Sequence, residues 1–219
     1  MIESILPAGV VAVDCFEDAP DVALFPEEAE AIRGSVEKRR AEYATARHCA
    51  RRAMAELGIA AVPILSGPRR EPLWPLGIVG SMTHCAGYRA AALAHSSQCP
   101  TIGIDAEPHE QLPGGVLDAI VRPDEIPLLA ALADAYPDVH WDRLTFSAKE
   151  SVYKAWYPIM QRWLGFEEAA LAFDPDARTF AVTLHQSTPG PAPTFAGRWL
   201  VQDGLVVTAV SLASQVFQV

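Results

Sequence analysis

The sequence is short of several things, and each shortage removes a class of protein. It has no apolar run near the ~20 residues that a membrane span requires, so no membrane association is expected. Its start, Met1-Ile-Glu-Ser-Ile-Leu-Pro, lacks the basic leader of a secretory signal, which points to a cytoplasmic protein. Cysteine is sparse: Cys15, Cys49, Cys85 and Cys99 are scattered and form no C-x-x-C pair. Neither a zinc site nor a disulfide framework is indicated, in keeping with a reducing compartment. Positive charge is also in deficit, with 17 basic against 27 acidic residues and a formal net charge of −10. A general nucleic-acid binder presents a basic face, so nucleic acid is not an expected partner. No Ser–His–Asp or Cys–His arrangement supplies a nucleophile.

What remains is an ordinary globular chain. Its 219 residues are 50% hydrophobic and 20% charged, enough to bury one core or two compact halves. Expected strands cover residues 10–16, 78–83, 88–95, 101–107, 171–173, 179–185, 194–201 and 205–212. Asp203-Gly204 between the last two is a two-residue hairpin signal. A Pro-rich loop lies between Ser187 and Pro193. Pro26 with Glu27 and Glu28 opens a helix. A longer helix is expected over 35–57, closed by Gly58, with Tyr43, Ala46, Ala50, Met54 and Leu57 as its buried stripe. Short helices follow near 116–121 and 123–135, then a long one over 144–157, stopped or kinked at Pro158. Its apolar stripe is Ala148, Val152, Ala155, Trp156 and Ile159. Each half of the chain thus holds a helix, a loop and about three antiparallel strands. The fold class is α+β: two halves, 1–108 and 109–219, related by a pseudo-twofold axis with a cleft between them.

Three local features carry chemistry. Asp105 and Glu107 lie two apart in an extended segment, so they share one face. That pairing suits a hard cation such as Mg²⁺, and it equally suits a strand running out into a solvated acidic turn. Between Arg33 and Arg52 lies a basic segment (Arg33, Lys38, Arg39, Arg40, Arg47, Arg51, Arg52) in an otherwise acidic protein. Arg40, Arg47 and Arg51 fall on one helical face, with Arg39 beside them, either as a solvated surface or as a seat for phosphate. Glu150 and Lys154 are one helical turn apart, a spacing also common in surface ion pairs. His84 ends a strand, a place open to a structural or a binding role.

Taken together, three segments resemble a known family: Gly80-Ser-Met-Thr-His-Cys-Ala-Gly-Tyr-Arg-Ala, Ile102-Gly-Ile-Asp-Ala-Glu-Pro and Phe146-Ser-Ala-Lys-Glu-Ser-Val-Tyr-Lys-Ala-Trp. In this order and spacing they resemble the 4′-phosphopantetheinyl transferases of the Sfp/EntD-like group. The resemblance extends to the helix Arg39-Arg-Ala-Glu-Tyr-Ala-Thr-Ala-Arg-His-Cys-Ala-Arg and to Arg70-Glu-Pro-Leu-Trp-Pro, so it spans about 38–165. It implies a monomer that moves the phosphopantetheine arm of coenzyme A to a serine of an apo acyl or peptidyl carrier protein, releasing 3′,5′-ADP. It implies Asp105, Glu107 and Glu150 as ligands of Mg²⁺, with Mn²⁺ possible. Arg39 and Arg47 match positions at the 3′-phosphate and adenine end of coenzyme A. Thr83 and His84 match the segment touching its phosphates, and Lys149 and Lys154 match basic residues beside the pyrophosphate. Glu150 is the implied base for the serine hydroxyl, and Lys154 the group at the leaving oxygen. One departure is Ser66, where many relatives carry Lys or Arg; Arg69 or Arg70 would take over that contact. Two other readings of the same residues are a metal-dependent phosphohydrolase acting on a small diphosphate and a non-catalytic module binding coenzyme A or a carrier.

Overall fold

Apolar residues repeating at helical spacing, with no proline to interrupt them, produce the first long helix. The computed structural model describes residues 1–185 and 193–212. It begins with a 3₁₀ turn (Ile2–Ile5), strand β1 (Val11–Cys15) and the short helix α1 (Pro26–Ala31), which has Pro in its first turn. Helix α2 (Glu37–Glu56) follows and buries Tyr43, Ala46, Ala50 and Met54 as the stripe predicts, together with Thr45, Arg47, Cys49 and Ala53. Its end is turned by Gly58 at φ +74, and the Ile59 N–H donates back to the Met54 carbonyl. Strands β2 (Ile78–Cys85), β3 (Tyr88–His95) and β4 (Ile102–Pro108) come next. After them come helices α3 (Val116–Ile120), α4 (Ile126–Ala135) and α5 (Trp141–Met160), then strands β5 (Ala169–Asp174), β6 (Thr179–Leu184), β7 (Phe195–Gln202) and β8 (Leu205–Leu212). The class is α+β, as expected. Among the described residues, no helix is long and apolar enough to cross a membrane. Most of the expected Pro-rich loop lies outside the described residues.

The strands form two antiparallel sheets of unequal size, ordered β1-β3-β2 and β4-β8-β7-β6-β5. Asp203 and Gly204 both adopt positive φ, 52° and 73°, and so close the tight β7–β8 hairpin. The three-strands-per-half expectation fails at β4. This strand precedes residue 109, yet its backbone ladder is with β8, Asp105 facing Thr208. Toward β2 it has side-chain stitches in place of a ladder: the Ile104 N–H donates to Ser81 Oγ and the Ala106 N–H to Thr83 Oγ1, each at 3.1 Å. Those pairs ascend together, so β2 and β4 run in the same direction across the seam. A seam closed by hydroxyls leaves neighbouring carbonyls free for another donor.

Burial joins the sheets into one body. Alternate residues of β3 serve opposite faces: Ala91 and Leu93 pack under α2, while Ala90, Ala92 and Ala94 enter a cluster shared with β4 and β8. Ile2, Ile5 and Leu6 close that shared cluster. On the far side of the larger sheet, α5 buries Leu144, Ala148, Val152 and Trp156 against β5–β8. Helix α5 lies close on β4 because residue 103 is glycine. A Cβ there would come within 2.0 Å of the Ser151 carbonyl oxygen. Pro158 does not stop this helix, which continues to Met160 and ends at Gln161 with φ 49°. Ile159, predicted to be buried, is 40% exposed, because the last turn of α5 extends past the sheet.

Candidate active site at the seam between the sheets

Close packing of α5 on β4 sets Lys154 over the seam. Its ammonium donates to Asp105 Oδ1 at 2.8 Å and to the carbonyls of Ile104 and Met82 at 3.1 and 3.4 Å. Thr83 donates its hydroxyl to the same Oδ1 at 3.2 Å, so Asp105 is held from both strands and the helix. The other carboxylate oxygen, Oδ2, is buried and has no partner. An unpaired carboxylate oxygen kept from water is costly, and a cation or a donor repairs it. The expected Glu150–Lys154 surface pair gives way to this contact with Asp105.

The two other acids respond to Asp105. Burial first, and then repulsion from Asp105, pushes the Glu107 carboxyl up to about 7, although Arg143 holds it at 3.1 Å. Burial likewise raises Glu150, with Lys154 opposing and Asp105 adding to the shift. Each is thereby a better proton acceptor near neutrality than an ordinary carboxylate. Asp105 and Glu107 take separate basic partners, and among the described residues no three His, Cys, Asp or Glu side chains are gathered as a metal cluster. What fits a hard cation is the donor chemistry, which is all carboxylate oxygen, and the unpartnered Asp105 Oδ2.

The basic residues divide sharply. Arg39 and His84, both exposed, meet at 2.5 Å between NH1 and Nε2. Arg47 is buried: its guanidinium donates to the Ile64 and Tyr43 carbonyls and lies over the Tyr43 ring at 3.1 Å. Burial draws its pKa down to about 10. Arg51 clasps Glu28, which is fully buried and also accepts the Ile64 N–H. Arg40 donates to the Ser35 and Arg33 carbonyls. Of the stripe expected on one open face of α2, Arg47 and Arg51 are therefore engaged inside the protein, because Glu28 on α1 and the loop at Ile64 cover them, while Arg40 stays exposed. Lys149 points elsewhere too. It is 2% exposed, donates to Glu125 at 2.7 Å and to the Ile120 and Phe166 carbonyls, and lies outside the seam constellation. Thr83 is buried on the Asp105 side, so its hydroxyl is committed to the seam.

From Glu150 and Lys154 a cavity of about 720 Å³ runs outward between α5 and the loop before β2. Leu73, Trp74, Met82, Tyr153, Tyr157 and Ile159 give it an apolar wall, and Arg69 and Arg70 border it. Arg69 stacks 5.8 Å from the Trp163 ring, which in turn packs on Tyr153. Arg70 sits at φ +68 in the turn closed by the Ser66–Pro72 bridge. The outcome is a charged head joined to a long, mostly apolar slot, a shape for a molecule with an anionic end and an extended arm.

Residues 27–94 match the 4′-phosphopantetheinyl transferase N-terminal domain, and residues 101–209 match the 4′-phosphopantetheinyl transferase superfamily. The chain is 51% identical to 4′-phosphopantetheinyl transferase Svp of Streptomyces mobaraensis, over 98% of this chain and 90% of that protein. It is 49% identical to 4′-phosphopantetheinyl transferase Npt of Nocardia iowensis, over 97% and 100% of the two chains. For PptT of Mycobacterium tuberculosis the identity is 45%, over 97% and 98%. The chain belongs to the 4′-phosphopantetheinyl transferase family. In this transferase the seam lies at the join of the two matched regions, with β2 in the first and β4, α5 and β8 in the second.

Sequence reasoning passed over several residues that build the candidate site. Arg143 stands at i, Glu150 at i+7 and Lys154 at i+11, a single helical face that the spacing alone discloses. Ser81 alternates with Thr83 along β2, the strand pattern for two hydroxyls on one face. Tyr153 and Trp163 were not singled out; Trp163 is 58% exposed and the buried Tyr153 hydroxyl has no partner. No local signal marks Glu28 as the counter-charge of α2.

Proposed function

We propose that the transferase moves the 4′-phosphopantetheine arm of coenzyme A to a serine of an apo acyl or peptidyl carrier protein, acting as a monomer in the cytoplasm and leaving 3′,5′-ADP. The observation that carries this reading is the junction at Asp105 and Lys154: Asp105 keeps an unpartnered buried carboxylate oxygen, and the Lys154 ammonium that it holds lines the head of the cavity beside Glu150. The segment as far as β3 forms one side of the cleft, and β4, although within 1–108, joins 109–219 on the other. Asp105, with Glu107 and Glu150, would hold Mg²⁺ or Mn²⁺, which when bound neutralises diphosphate oxygens.

The remaining chemistry belongs to the side chains. Arg39 and His84, in mutual contact, form one seat for the 3′-phosphate. The apolar wall receives the pantetheine arm and excludes water from the reacting end. Glu150, its carboxyl raised by burial, accepts the proton of the incoming serine hydroxyl. A bond forms between that serine oxygen and the pantetheine-side phosphorus, and the bond from this phosphorus to the bridging oxygen breaks. Lys154 donates toward the departing 5′-phosphate of 3′,5′-ADP. Arg143 keeps Glu107 in place, and Arg69 or Arg70 supplies charge at the rim in place of Ser66.

The test is to incubate the protein with coenzyme A, Mg²⁺ and an apo carrier, then read the intact mass of the carrier. Gain of one phosphopantetheine group is the expected result. Coenzyme A consumed without a change in the carrier would overturn this reading in favour of a phosphohydrolase.

A further inference from the structure

Glu42 has no part in the roles assigned so far, yet three cationic or proton-accepting groups converge on it. Its Oε2 lies 3.8 Å from Arg39 NH1 and 3.8 Å from His84 Nδ1, and its Oε1 lies 3.7 Å from Arg89 NH2. Arg89 is already matched by the two oxygens of Asp18, at 2.9 and 3.1 Å, and by the Cys85 and Tyr88 carbonyls. Arg39 and His84 have no other carboxylate within ion-pair distance among the described residues. The carboxylate is 12% exposed and cannot swing freely into solvent.

The geometry also fixes which way the imidazole faces. Nδ1 faces Glu42, and Nε2 accepts from Arg39. Because the guanidinium of Arg39 can only donate, the neutral ring carries its proton on Nδ1, which faces the Glu42 carboxylate across 3.8 Å, and Nε2 is the atom presented beside Arg39. An incoming phosphate cannot use that lone pair. It needs a second N–H, and a carboxylate behind the ring stabilises the imidazolium that supplies one.

We propose that Glu42 is a positioning residue that orients His84 and lets it take up a proton when a phosphate group of coenzyme A binds beside Arg39. The proton comes from solvent and adds to Nε2. Nε2–H and Arg39 then both donate to the phosphate, while Nδ1–H remains on Glu42. The groups facing His84 from every packed element are Arg39 and Glu42 on α2, Arg89 on β3 and Lys154 on α5. Without the phosphate, burial and then Arg39 hold the imidazole below its ordinary pKa, with Glu42 opposing, so the unliganded ring is neutral at pH 7. The proposal rests on the coenzyme A reading above.

Calorimetric titration with coenzyme A alone tests it, in two buffers of unlike ionisation enthalpy from about pH 6 to about pH 8. The wild type should take up about one proton, and its affinity should fall up to about tenfold per pH unit across the uptake window. Glu42→Gln keeps an acceptor for Nδ1–H but lacks the charge, so the window should move down by about one to three pH units. Glu42→Leu, which also loses the orientation, should bind about tenfold more weakly throughout the range. His84→Ala, at an exposed site, should bind without proton uptake. An unmoved window in Glu42→Gln, or uptake persisting in His84→Ala, would overturn this proposal alone. A wild-type protein that fails to bind coenzyme A would overturn the transferase reading and this proposal together.

Discussion

Two basic regions share helix α2 and have opposite fates. Arg47 and Arg51, toward its C-terminal end, close on the buried Glu28, and each also donates to a backbone carbonyl. Arg39, two turns earlier, stays exposed and shares its charge with His84 and Glu42. The residue type is the same in both regions. What differs is the counter-charge. A carboxylate with no access to water requires full compensation, and it draws in every guanidinium within reach. Where the carboxylate stands 3.8 Å from exposed cations, as Glu42 does, the cations remain available to a ligand. α5 repeats the lesson with lysine, since Lys149 is consumed by Glu125 and Lys154 bridges Asp105 to the cavity.

The comparison can be broken most forcefully at Glu28. Glu28→Ala leaves Arg47 and Arg51 buried without a counter-ion and should cost about 3–5 kcal/mol in urea denaturation. Asp105→Ala should do the reverse, leaving the protein folded by circular dichroism while transfer falls by about 10²–10³-fold or more. Wild-type transfer by Asp105→Ala would remove the seam from the mechanism. The lysines sharpen the same contrast. Lys149→Met should lose roughly 2–4 kcal/mol, because Glu125 keeps only its backbone N–H donors from Arg122 and Leu171. Its affinity for coenzyme A should be little changed. Lys154→Met also takes the cation from a buried carboxylate, so it should melt somewhat below the wild type, and the folded protein should transfer about 10²-fold more slowly. A coenzyme A defect in folded Lys149→Met would return that lysine to the pyrophosphate.

The smallest effect concerns Glu107. Its carboxyl titrates at about 7 when folded, against an ordinary 4.5. A raised folded pKa contributes stability below the unfolded value and loses it as pH rises through the folded one. Glu107→Gln, which cannot ionise, should therefore gain on the wild type between about pH 5 and about pH 8, by roughly 1 kcal/mol after the loss of the Arg143 pairing. Urea midpoints at the two pH values measure this. A margin of the variant over the wild type that grows on acidification would reverse the sign and discard the buried-acid account.

Much of the fold was legible because its cues are local. The apolar stripe from Tyr43 to Met54, the Asp203-Gly204 turn and the alternation around Ile102 and Ile104 each lie within a few residues. Asp105 could be picked out because a strand at that point aims alternate side chains to one side. The membership of β4 could not be read in the same way, since a strand with two apolar faces pairs equally well with either neighbour until the whole sheet is assembled. Arg47 and Lys149 were assigned to phosphate by their place in motifs. Their burial depends on Glu28 and Glu125, which lie 19 and 24 residues away in sequence.

By itself, then, the sequence determined the elements, the family and the chemical character of Asp105, Glu107, Glu150 and Lys154. Only the tertiary structure decided which charges are consumed internally and which face the cavity. The reason is physical: periodicity is a property of one segment, whereas desolvation and charge pairing are properties of whatever packs on it. Gly103 marks the point of contact between the two. It is a single residue in a readable strand, and its missing side chain lets α5 descend until Lys154 meets Asp105.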